Sequence, residues 1–183
     1  MLIGSKFNIR HVIEKDLDSL TSLMNDLVIR GEFLPSLMIS PQKLRQQYNQ
    51  NGLSGEDFER LLIVDLDDNI IGTIWHFKSV PYFNAREIGF TLFDSQQRRK
   101  GIMSEAVSLL SNYLFNGLSI NRLEIRMDTR NIASEKVAIK CGYEKEGVSC
   151  GANFVNGQNV DMNLYALLRE AWQRNVLTAL SKI

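Results

Sequence analysis

The sequence predicts a single α/β domain, residues 1–183, in which helices cover both faces of a mixed, mostly antiparallel β-sheet. Its 183 residues, 44% of them apolar, suffice for one substantial core and are too few for two. Three consecutive strand patterns joined by short turns predict antiparallel hairpins, and helical patterns precede and follow them. One helical pattern, 102–116, connects two strands, and this crossover predicts the one parallel pairing. No internal repeat, low-complexity tract or linker divides the chain.

In the first half of the chain, helices stand between a first strand and a hairpin. Alternating apolar residues predict a strand over 6–12. Glu14–Asp16 opens a helix that runs to Gly31, because apolar residues recur on one face and acids occupy the first turn. The pattern is irregular over 32–40. The predicted elements that follow are a short polar helix over 41–48 and two strands, 60–66 and 70–80, joined by a turn at 67–69.

In the second half, strand and helix patterns alternate. A strand over 85–93 leads through a polar loop into the crossover helix. The next strand, 122–128, alternates Leu, Ile and Met with charged residues, which predicts one buried face and one solvent-exposed face. A helix that begins at Asn131 ends at Cys141-Gly142. The remaining predicted elements are a short strand over 143–147, a hairpin turn over 155–158, a strand over 160–167 and a terminal helix over 169–180.

Charge and cysteine content argue against several classes of function. Lys plus Arg and Asp plus Glu number 21 each, so the overall charge gives no attraction for a nucleic acid polymer or an anionic membrane. Cys141 and Cys150 form no CxxC pair and have no spaced His or Cys partners, which argues against a metal site. We expect both to be buried free thiols. The N-terminal apolar run is too short for a signal peptide and no stretch is long enough to span a membrane, so we expect a cytoplasmic protein.

A cationic, glycine-containing loop stands between the 85–93 strand and the crossover helix. From Phe93 to Ala106 the sequence is Phe-Asp-Ser-Gln-Gln-Arg-Arg-Lys-Gly-Ile-Met-Ser-Glu-Ala. Backbone N–H groups at a helix start lack intrahelical partners and lie at the positive end of the helix dipole. Arg98, Arg99 and Lys100 add positive charge beside them. The loop therefore predicts a binding site for a phosphate-bearing ligand.

A second motif, from Asn131 to Tyr143, has the sequence Asn-Ile-Ala-Ser-Glu-Lys-Val-Ala-Ile-Lys-Cys-Gly-Tyr. Alone, Asn131 is equally well explained as a helix N-cap and Ser134 as an ordinary first-turn residue. Together with the cationic loop and the strand Glu87-Ile-Gly-Phe-Thr-Leu, the motif resembles the GNAT superfamily of acyl-CoA-dependent N-acyltransferases. Within that superfamily the chain is most similar to the RimJ/RimL-like type, the ribosomal-protein N-terminal acetyltransferases.

The resemblance implies a GNAT-like fold in which the strand ending near Phe93 splays from the 122–128 strand, and the pantetheine arm of coenzyme A lies in the gap. The backbone of Leu92 and Phe93 would pair with the pantetheine amides as an added strand does. Backbone N–H groups of the cationic loop would bind the pyrophosphate, although the family usually has Gly or Ala in place of Met103. The implied acetyl-CoA-binding residues are Leu92, Phe93, Arg98, Arg99, Lys100, Gly101, Ile102, Met103, Ser104, Asn131, Ser134 and Lys140.

Acetyl transfer to an amine needs a neutral nucleophile, stabilisation of an oxyanion and a proton for the departing thiolate. We expect a backbone N–H at the end of the 87–93 strand, that of Phe93, to stabilise the oxyanion. Many GNAT enzymes protonate the thiolate with a tyrosine seven residues after the motif's Asn, but this chain has Ala138 there. Rim-like members have a serine three residues after the Asn, and Ser134 matches it. Ser134 would donate to the sulfur or relay a water, and Asn131 would anchor the pantetheine or orient Ser134.

The general base is the remaining catalytic role. A free α-amine, with a pKa of about 7.7–8.0, needs little help at neutral pH, whereas a lysine amine needs more. Some close family members have a glutamate just before the Asn-Gly hairpin, where this chain has Asn153, and an amide takes no proton. Glu87 remains as the base, directly or through water. The equally weighted alternative is a structural carboxylate paired with Arg86 or Arg126.

The acceptor side is implied to lie among the first helical region, the 70–90 hairpin and the last hairpin, which are rich in aromatic residues. Alternation puts Trp75 and Phe77 on one face of their strand. Core packing explains most of these aromatics, but one or two of them can form a stacking slot for a planar group such as a nucleobase. His76 is expected to be structural. The expected acceptor-binding residues are Phe33, Trp75, Phe77, Tyr82, Phe90 and Asn153.

The sequence therefore predicts an acetyl-CoA-dependent N-acetyltransferase that acts on a primary amine without a metal. The acceptor is a protein N-terminus or an amine-bearing small molecule; the second class includes self-resistance against an antibiotic or aminoacyl-nucleotide toxin, which the aromatic residues mildly favour. A non-catalytic module that binds acyl-CoA is a different class of function, and Ser134 disfavours it because a pure binder need not retain a leaving-group residue. A monomer and a homodimer are equally compatible with the sequence.

Overall fold

A computed structural model of the protein describes residues 1–35 and 37–180. Within them, the strands are β1 (Leu2–Ile3), β2 (Asn8–His11), β3 (Phe58–Val64), β4 (Ile70–Phe77), β5 (Ala85–Leu92), β6 (Arg122–Asp128), β7 (Glu144–Val155) and β8 (Gln158–Leu168). The α-helices are α1 (Leu17–Asn25), α2 (Leu27–Arg30), α3 (Pro41–Asn51), α4 (Ile102–Gly117), α5 (Ile132–Lys140) and α6 (Arg169–Leu180). None of these helices has the length and apolarity needed to cross a membrane.

The strands form one eight-stranded sheet in the order β1-β2-β3-β4-β5-β6-β8-β7. Neighbouring strands are antiparallel except β5 and β6, which are parallel. This confirms the predicted mixed, mostly antiparallel sheet and its parallel pairing across the crossover helix, α4. Asn156 and Gly157 join β7 to β8 with φ values of 50° and 81°, as a two-residue hairpin turn requires.

One face of the sheet, which we call the α4 face, carries the larger core. Ile74, Ile88 and Leu123 of the sheet are at most 1% exposed there, as are Leu110 and Leu114 of α4. Residues of α5 and α6 complete this core. The apolar residues of α4 that were expected to recur on one side of the helix are therefore the ones that meet the sheet.

The opposite face, which we call the α1 face, carries a smaller core against α1 and α3. Leu62 of β3 and Phe93, the residue after β5, pack there against Leu20 of α1. This core covers one end of the face only, because Arg60 and Trp75, the next pair along β3 and β4, lie outside it. The uncovered end of the α1 face is where the expected acceptor residues Trp75 and Phe77 lie.

β5 and β6 separate after a short stretch of pairing. Only Ala85–Glu87 and Arg122–Glu124 pair with each other. β5 then continues along β4 to Leu92, while β6 continues along β8 to Asp128, so a gap opens beside residues 88–92. These five residues span about 16 Å. The expected splayed strand pair is therefore present, and its narrow end lies at Glu87.

The first helix is shorter than predicted. Asp26 leaves helical geometry, and its Oδ1 accepts hydrogen bonds from the N–H groups of Val28 and Ile29. This side chain caps a separate short helix, α2, which ends at Gly31. Val28 is 88% exposed, so the apolar stripe is not buried along its whole length. The prediction of one continuous helix is wrong because an aspartate that caps N–H groups competes with helix continuation.

The charged face of β6 is not exposed, although the strand has the predicted bounds. Glu124 and Asp128 are 2% and 3% exposed. Arg122 and Arg126 both pair with Glu124, at 2.7 and 2.8 Å, and Arg130 pairs with Asp128 at 2.6 Å. Buried carboxylates are tolerated when they are paired in this way. Alternating charge therefore marks an ion-pair network here rather than a solvent-exposed face.

β7 is twelve residues long, where a short strand over 143–147 was predicted. Gly147 and Gly151 interrupt the alternation, and irregular register accompanies both glycines. Asp161 Oδ1 stabilises the irregular segment by accepting a hydrogen bond of 2.8 Å from the N–H of Gly151. Because β7 is an edge strand, Cys150 is exposed, contrary to the expected burial.

Candidate active site

The loop between β5 and α4 leaves the backbone at the helix start accessible. Asp94 Oδ1 accepts a hydrogen bond from the N–H of Gln96, which begins a short 3₁₀ turn. Arg99 and Gly101 then take left-handed backbone conformations, with φ of 63° and 83°, and glycine adopts such a conformation at low cost. Gly101 is the N-cap residue of α4 and has no side chain to cap it. The first N–H groups of the helix therefore remain available to a ligand.

Four cations lie around this helix start. Arg98 and Arg99 are exposed, and no carboxylate in residues 1–35 or 37–180 pairs with them or with Lys100. The structure also brings Lys140 to the loop from the end of α5: a Cβ at Gly101 would lie 3.8 Å from Lys140 Nζ. Uncompensated cations around an open helix N-terminus fit the pyrophosphate of coenzyme A in charge and in geometry.

The first residues of α4 offer a ligand their backbone rather than their side chains. Ile102 and Met103 are 6% and 9% exposed, and both side chains pack in the larger core. The methionine therefore takes no space from a ligand at a position where Gly or Ala is usual. The backbone carbonyl oxygen of Ser104 accepts a hydrogen bond of 3.1 Å from the Cys141 thiol, which links the start of α4 to the end of α5.

The backbone beside the gap differs from expectation at Phe93. Its N–H donates to Ile71 O, 2.9 Å away on β4, and its side chain is buried in the smaller core. Alternate residues of an antiparallel pair direct their N–H groups to the partner strand, so the N–H of Leu92 points away from β4 and towards the gap. The Phe93 N–H is therefore not free for the oxyanion or the pantetheine, contrary to expectation, whereas the Leu92 N–H faces the gap.

Asn131 and Ser134 begin α5, directly after β6. Asn131 Oδ1 accepts a hydrogen bond of 3.1 Å from the N–H of Ser134, so Asn131 acts as a helix N-cap. Ser134 is partly buried, and its Oγ has no hydrogen-bond partner in the described part of the chain. Ala138 is fully buried. Tyr165 donates to Glu135 Oε1 at 2.7 Å, and this bond raises the pKa of Tyr165 to about 12, which makes the phenol a poor proton donor.

Glu87 lies at the narrow end of the gap, on the α1 face. It stands opposite Glu124 in the register, and its carboxylate forms an ion pair with Arg126. Burial raises the pKa of Glu87, and Arg126 opposes the shift without cancelling it. Arg86, the other partner considered, pairs with Asp57 at 3.4 Å. Glu87 is thus in a structural ion pair, and its pKa is shifted in the direction that favours a general base.

Two of the expected acceptor residues share the α1 face with Glu87. Phe77 stands directly opposite Glu87 in the β4–β5 register, and Trp75 follows two residues away on the same face. Phe90 stands opposite Ile74 on the α4 face and packs against the larger core. The structure therefore does not bring Phe90 to the acceptor side, because alternation along β5 separates it from Glu87.

The other three expected acceptor residues belong to separate segments. Tyr82 is 84% exposed in the β4–β5 turn, where it contacts Phe83 edge-on. Asn153 lies on β7, and its Oδ1 accepts a hydrogen bond from the following N–H. Phe33 follows α2, and the guanidinium of Arg130 lies 5.9 Å from its ring centroid. The aromatic residues expected at the acceptor site do not form a single slot.

The ring of Trp75 is packed between two neighbours. Its indole lies against the backbone of Gly89, where a Cβ would overlap the ring. The guanidinium carbon of Arg60 lies 4.7 Å from the ring centroid. A nucleobase would have to displace Arg60 to stack on Trp75, so the expected stacking slot is not open at this residue.

Arg126 was expected as one of two structural partners for Glu87, and the structure shows that pair. One residue of this site, Arg60, was not expected. Nothing in the sequence around Arg60 indicates a functional role, because a single arginine at the start of a predicted strand is ordinary. Only the pairing of three strands brings Arg60, Trp75 and Gly89 together.

A cleft of about 440 Å³ lies between α2, the residues after it and the β7–β8 hairpin. A hydrogen bond of 3.5 Å from Asn156 Nδ2 to Glu32 O links its two sides. Arg30 holds the following loop by donating to Leu37 O at 2.6 Å. The cleft thus joins two of the three regions that were expected to border the acceptor. Its lining residues are Leu27, Val28, Arg30, Gly31, Glu32, Leu34 and Asn156.

His76 lies away from these groups, on the α4 face. Its Nε2 is 3.0 Å from Glu59 Oε2, and both side chains are buried. This hydrogen bond lowers the pKa of Glu59 and links β3 to β4, which fits the structural role expected for His76, although its Nδ1 has no partner in the described part of the chain. Among the residues that the structure covers, no group of three or more His, Cys, Asp or Glu side chains is placed to hold a metal ion.

Comparison with known proteins assigns the family. The acetyltransferase (GNAT) domain model matches residues 6–144, well over half of the chain. The chain is also 32% identical over 123 residues to the probable N-acetyltransferase YjcK of Bacillus subtilis, an alignment that covers 67% of each protein.

Solved structures agree with this assignment. The ribosomal L7/L12 α-N-protein acetyltransferase RimL, in complex with coenzyme A, superposes with a TM-score of 0.80 at 25% identity, covering 92% of this chain and 97% of that one. The Vibrio cholerae spermidine N-acetyltransferase, in complex with coenzyme A and spermine, superposes with a TM-score of 0.81 at 19% identity, covering 93% and 99%. The chain belongs to the GNAT acetyltransferase family and is an acetyl-CoA-dependent N-acetyltransferase.

Proposed function

We propose that the chain transfers an acetyl group directly to a primary α-amine while acetyl-CoA and the amine are bound together. The observation that carries this proposal is Glu87, a largely buried carboxylate of raised pKa at the narrow end of the β5–β6 gap. Acetyl-CoA supplies the activated acyl group. The residues of the chain hold the donor, accept a proton from the amine and donate one towards the departing sulfur.

The donor is proposed to lie along the gap. The open N-terminus of α4 and its surrounding cations, including Lys140, hold the pyrophosphate at the wide end. The Leu92 N–H pairs with the arm or stabilises negative charge on the acyl oxygen, in the role first expected of Phe93. Ser134 Oγ donates towards the sulfur, and Asn131 fixes the turn that presents it.

Glu87 is proposed to accept a proton from the amine, directly or through one water. An α-amine with a pKa of about 7.7–8.0 is partly neutral at pH 7, so a single carboxylate of raised pKa suffices. A lysine amine would need about three pKa units of help on the same scale. Glu124, the buried carboxylate opposite Glu87, pairs with two arginines, whereas Glu87 pairs with one, so Glu124 is the poorer source of that help. We therefore favour an α-amine.

Direct transfer is favoured over an acyl-enzyme because neither cysteine is an activated nucleophile. Burial raises the pKa of the Cys141 thiol, which donates to Ser104 O. A raised pKa lowers the thiolate fraction that attack requires. Cys150 lies exposed on β7, the edge strand furthest from β5 in this half of the sheet.

The named relatives suggest two acceptor classes, a protein N-terminus and a polyamine. A polyamine needs unpaired carboxylates, whereas the buried carboxylates beside the β5–β6 gap are paired: Glu87 with Arg126, and Asp128 with Arg130. This charge pattern supports the α-amine of a peptide or small molecule over a polyamine. Neither named relative suggests an antibiotic as acceptor, and Arg60 covers the Trp75 ring on which the nucleobase of an aminoacyl-nucleotide toxin would stack.

The experiment is an acetyl-transfer assay that follows thiol release from acetyl-CoA. The amine panel contains peptides with free N-termini, the same peptides with blocked N-termini and one internal lysine, and spermidine. We expect turnover with free α-amines and at least tenfold lower kcat/KM for the other two classes. Tight coenzyme A binding without turnover of any amine would overturn the proposal, as would a preference for spermidine.

A further inference from the structure

Among residues 1–35 and 37–180, Arg60 is a partly buried cation without an anionic partner. In the described part of the chain, seven arginines pair with carboxylates, and two others, Arg30 and Arg169, donate to backbone carbonyls. Arg98 and Arg99 stand in the exposed loop beside α4. Arg60 belongs to none of these groups. Its polar contact is neutral, the hydroxyl of Thr73 at 3.3 Å.

Aromatic rings fix the position of Arg60 without neutralising it. The guanidinium carbon lies 4.7 Å from the Trp75 ring centroid and 5.6 Å from that of Phe58. Such contacts orient a guanidinium but leave most of its five N–H donors unused. Burial lowers the pKa of Arg60 to about 10, which reflects incomplete solvation of the charge. An incompletely solvated cation with free donors gains strongly from a bound anion.

Strand register places this cation beside the proposed reaction centre. Arg60 stands opposite Trp75, and Trp75 stands opposite Gly89, two residues from Glu87. The residues of this row, from Arg60 to Glu87, all lie on the α1 face of the sheet and outside the smaller core. β3 and β5 are two inter-strand spacings apart, about 10 Å, and the long Arg60 side chain lies across the intervening Trp75 ring. An acceptor whose amine lies at Glu87, and which is about 10 Å long, can therefore also contact the Arg60 guanidinium.

We propose that Arg60 binds an anionic group, a carboxylate or a phosphate, of the amine acceptor. The inference rests on the proposed function, because it concerns the acceptor of that reaction. The anion lies within roughly 10 Å of the reacting amine, as the strand spacing requires. Arg60 thus determines specificity: it selects an acidic peptide N-terminus or an anionic small amine and repels a polyamine. Gly89 serves the same purpose, since any side chain there would displace the Trp75 ring against which Arg60 packs.

The test compares acceptors that differ only in the anion. The carboxylate pairs are seryl-glutamate amide against seryl-glutamine amide and 4-aminobutyrate against 4-aminobutyramide. The phosphate pairs are seryl-phosphoserine amide against seryl-serine amide and phosphoethanolamine against ethanolamine. Spermidine completes the panel. We expect kcat/KM for the anionic member to exceed that of its neutral partner by about tenfold to a hundredfold, as one charge-assisted pair implies. Whichever pair shows the larger ratio identifies the anion.

Substitutions at Arg60 test whether this residue causes the preference for the anionic acceptor. Arg60→Gln should reduce the anionic-to-neutral ratio to within about twofold, while Arg60→Lys should retain part of it because the charge remains. Arg174→Gln on α6, which removes an exposed arginine of the Glu170 pair, should keep the wild-type ratio. Coenzyme A affinity, measured by calorimetry, should be equal in all four proteins, which separates acceptor selection from a folding defect.

Two results would overturn the inference while leaving the proposed function intact. They are a wild-type ratio below twofold in every pair and a ratio that survives in Arg60→Gln. Turnover of no amine at all, or a preference for spermidine over the anionic amines, would instead contradict the proposed function, and the inference about Arg60 would fail with it.

Discussion

The donor side and the acceptor side of this site are built in different ways. On the donor side, a few consecutive residues around Gly101 combine an open helix N-terminus with exposed cations. On the acceptor side, side chains from three strands meet through register alone: Arg60 on β3, Trp75 on β4 and Glu87 on β5. The first arrangement needs only backbone N–H groups and net positive charge, whereas the second depends on which side chain stands opposite which.

This difference indicates which positions of the chain should tolerate amino-acid substitution. If backbone N–H groups bind the pyrophosphate, as we propose, the side chains matter little there, and the buried Met103 takes no space where a smaller residue is usual. Side-chain contacts across strands allow no such freedom, because in the proposed site a substitution at Arg60 on β3 would alter what binds beside Glu87 on β5. Donor binding is thus expected to respond gradually to mutation, and acceptor use abruptly.

The largest expected effect tests the acceptor side. Glu87→Gln should lower kcat with a free α-amine by about a hundredfold at pH 6.5, because most of the amine is protonated there and has lost its base. The loss should shrink as pH rises through the pKa of the amine. Steady-state thiol release across pH measures it, and Glu170→Gln on the exposed surface of α6 is the matched control. A loss below threefold at pH 6.5 would remove Glu87 from the mechanism.

The pH profile of the wild-type enzyme gives a second view of the same residue. Because the pKa of Glu87 is raised in the folded protein, its basic form is lost as pH falls through a value above the ordinary 4.3 of glutamate. The acid limb of kcat/KM should therefore lie above that of an exposed carboxylate. The pH dependence of stability runs the other way from that of activity. Because the folded pKa of Glu87 is raised, its contribution to the free energy of unfolding falls as pH rises through that pKa, while its activity as a base increases.

The next largest effect tests the donor side. Changing Arg98, Arg99 and Lys100 together to Gln should raise the Kd for coenzyme A by about thirtyfold, because three cations near the pyrophosphate are lost. The salt dependence of binding should flatten as well. Calorimetry at two ionic strengths measures both quantities, with Arg174→Gln as the control. An unchanged Kd would mean that the pyrophosphate binds elsewhere.

A smaller effect is expected at Ser134. Ser134→Ala should lower kcat by about tenfold without weakening coenzyme A binding, because the hydroxyl is proposed to assist only the departing thiolate, a modest leaving group with a pKa near 8.5. Ser149→Ala on β7 provides a matched control. Single-turnover thiol release is the measurement, and a rate within threefold of wild type, under about 1 kcal/mol of barrier, would exclude Ser134 as the proton donor.

The smallest effect is expected at Tyr82. Its side chain is 84% exposed, so Tyr82→Ala should change kcat/KM by less than about twofold and the free energy of unfolding by less than about 0.5 kcal/mol. Activity assays and denaturant unfolding measure the two quantities. A tenfold loss of activity with unchanged unfolding would place the acceptor at the β4–β5 turn instead of along the α1 face.

Local features of this chain could be predicted from sequence, and register could not. Asn131 caps α5 by a bond to the third residue after it, so the motif contains the whole interaction. Whether the N–H of Phe93 faces β4 or the gap depends on the register with Ile71, 22 residues earlier in the chain, and the prediction failed there. Arg60 was missed for the same reason. Asp26 shows a local failure: its side chain can continue a helix or cap a new one, and composition does not decide between them.

The short parallel pairing of β5 with β6 has a consequence for the mechanics of the molecule. Three residue pairs join one half-sheet, β1–β5, to the other, β6–β8, so the backbone groups beside residues 88–92 have a partner strand on one side only. Amides there should exchange hydrogen with solvent faster than those in the middle of either half. Coenzyme A that pairs along the seam would slow this exchange and raise the melting temperature together. The donor then serves as a temporary strand, and the enzyme is stiffest while it holds its substrate.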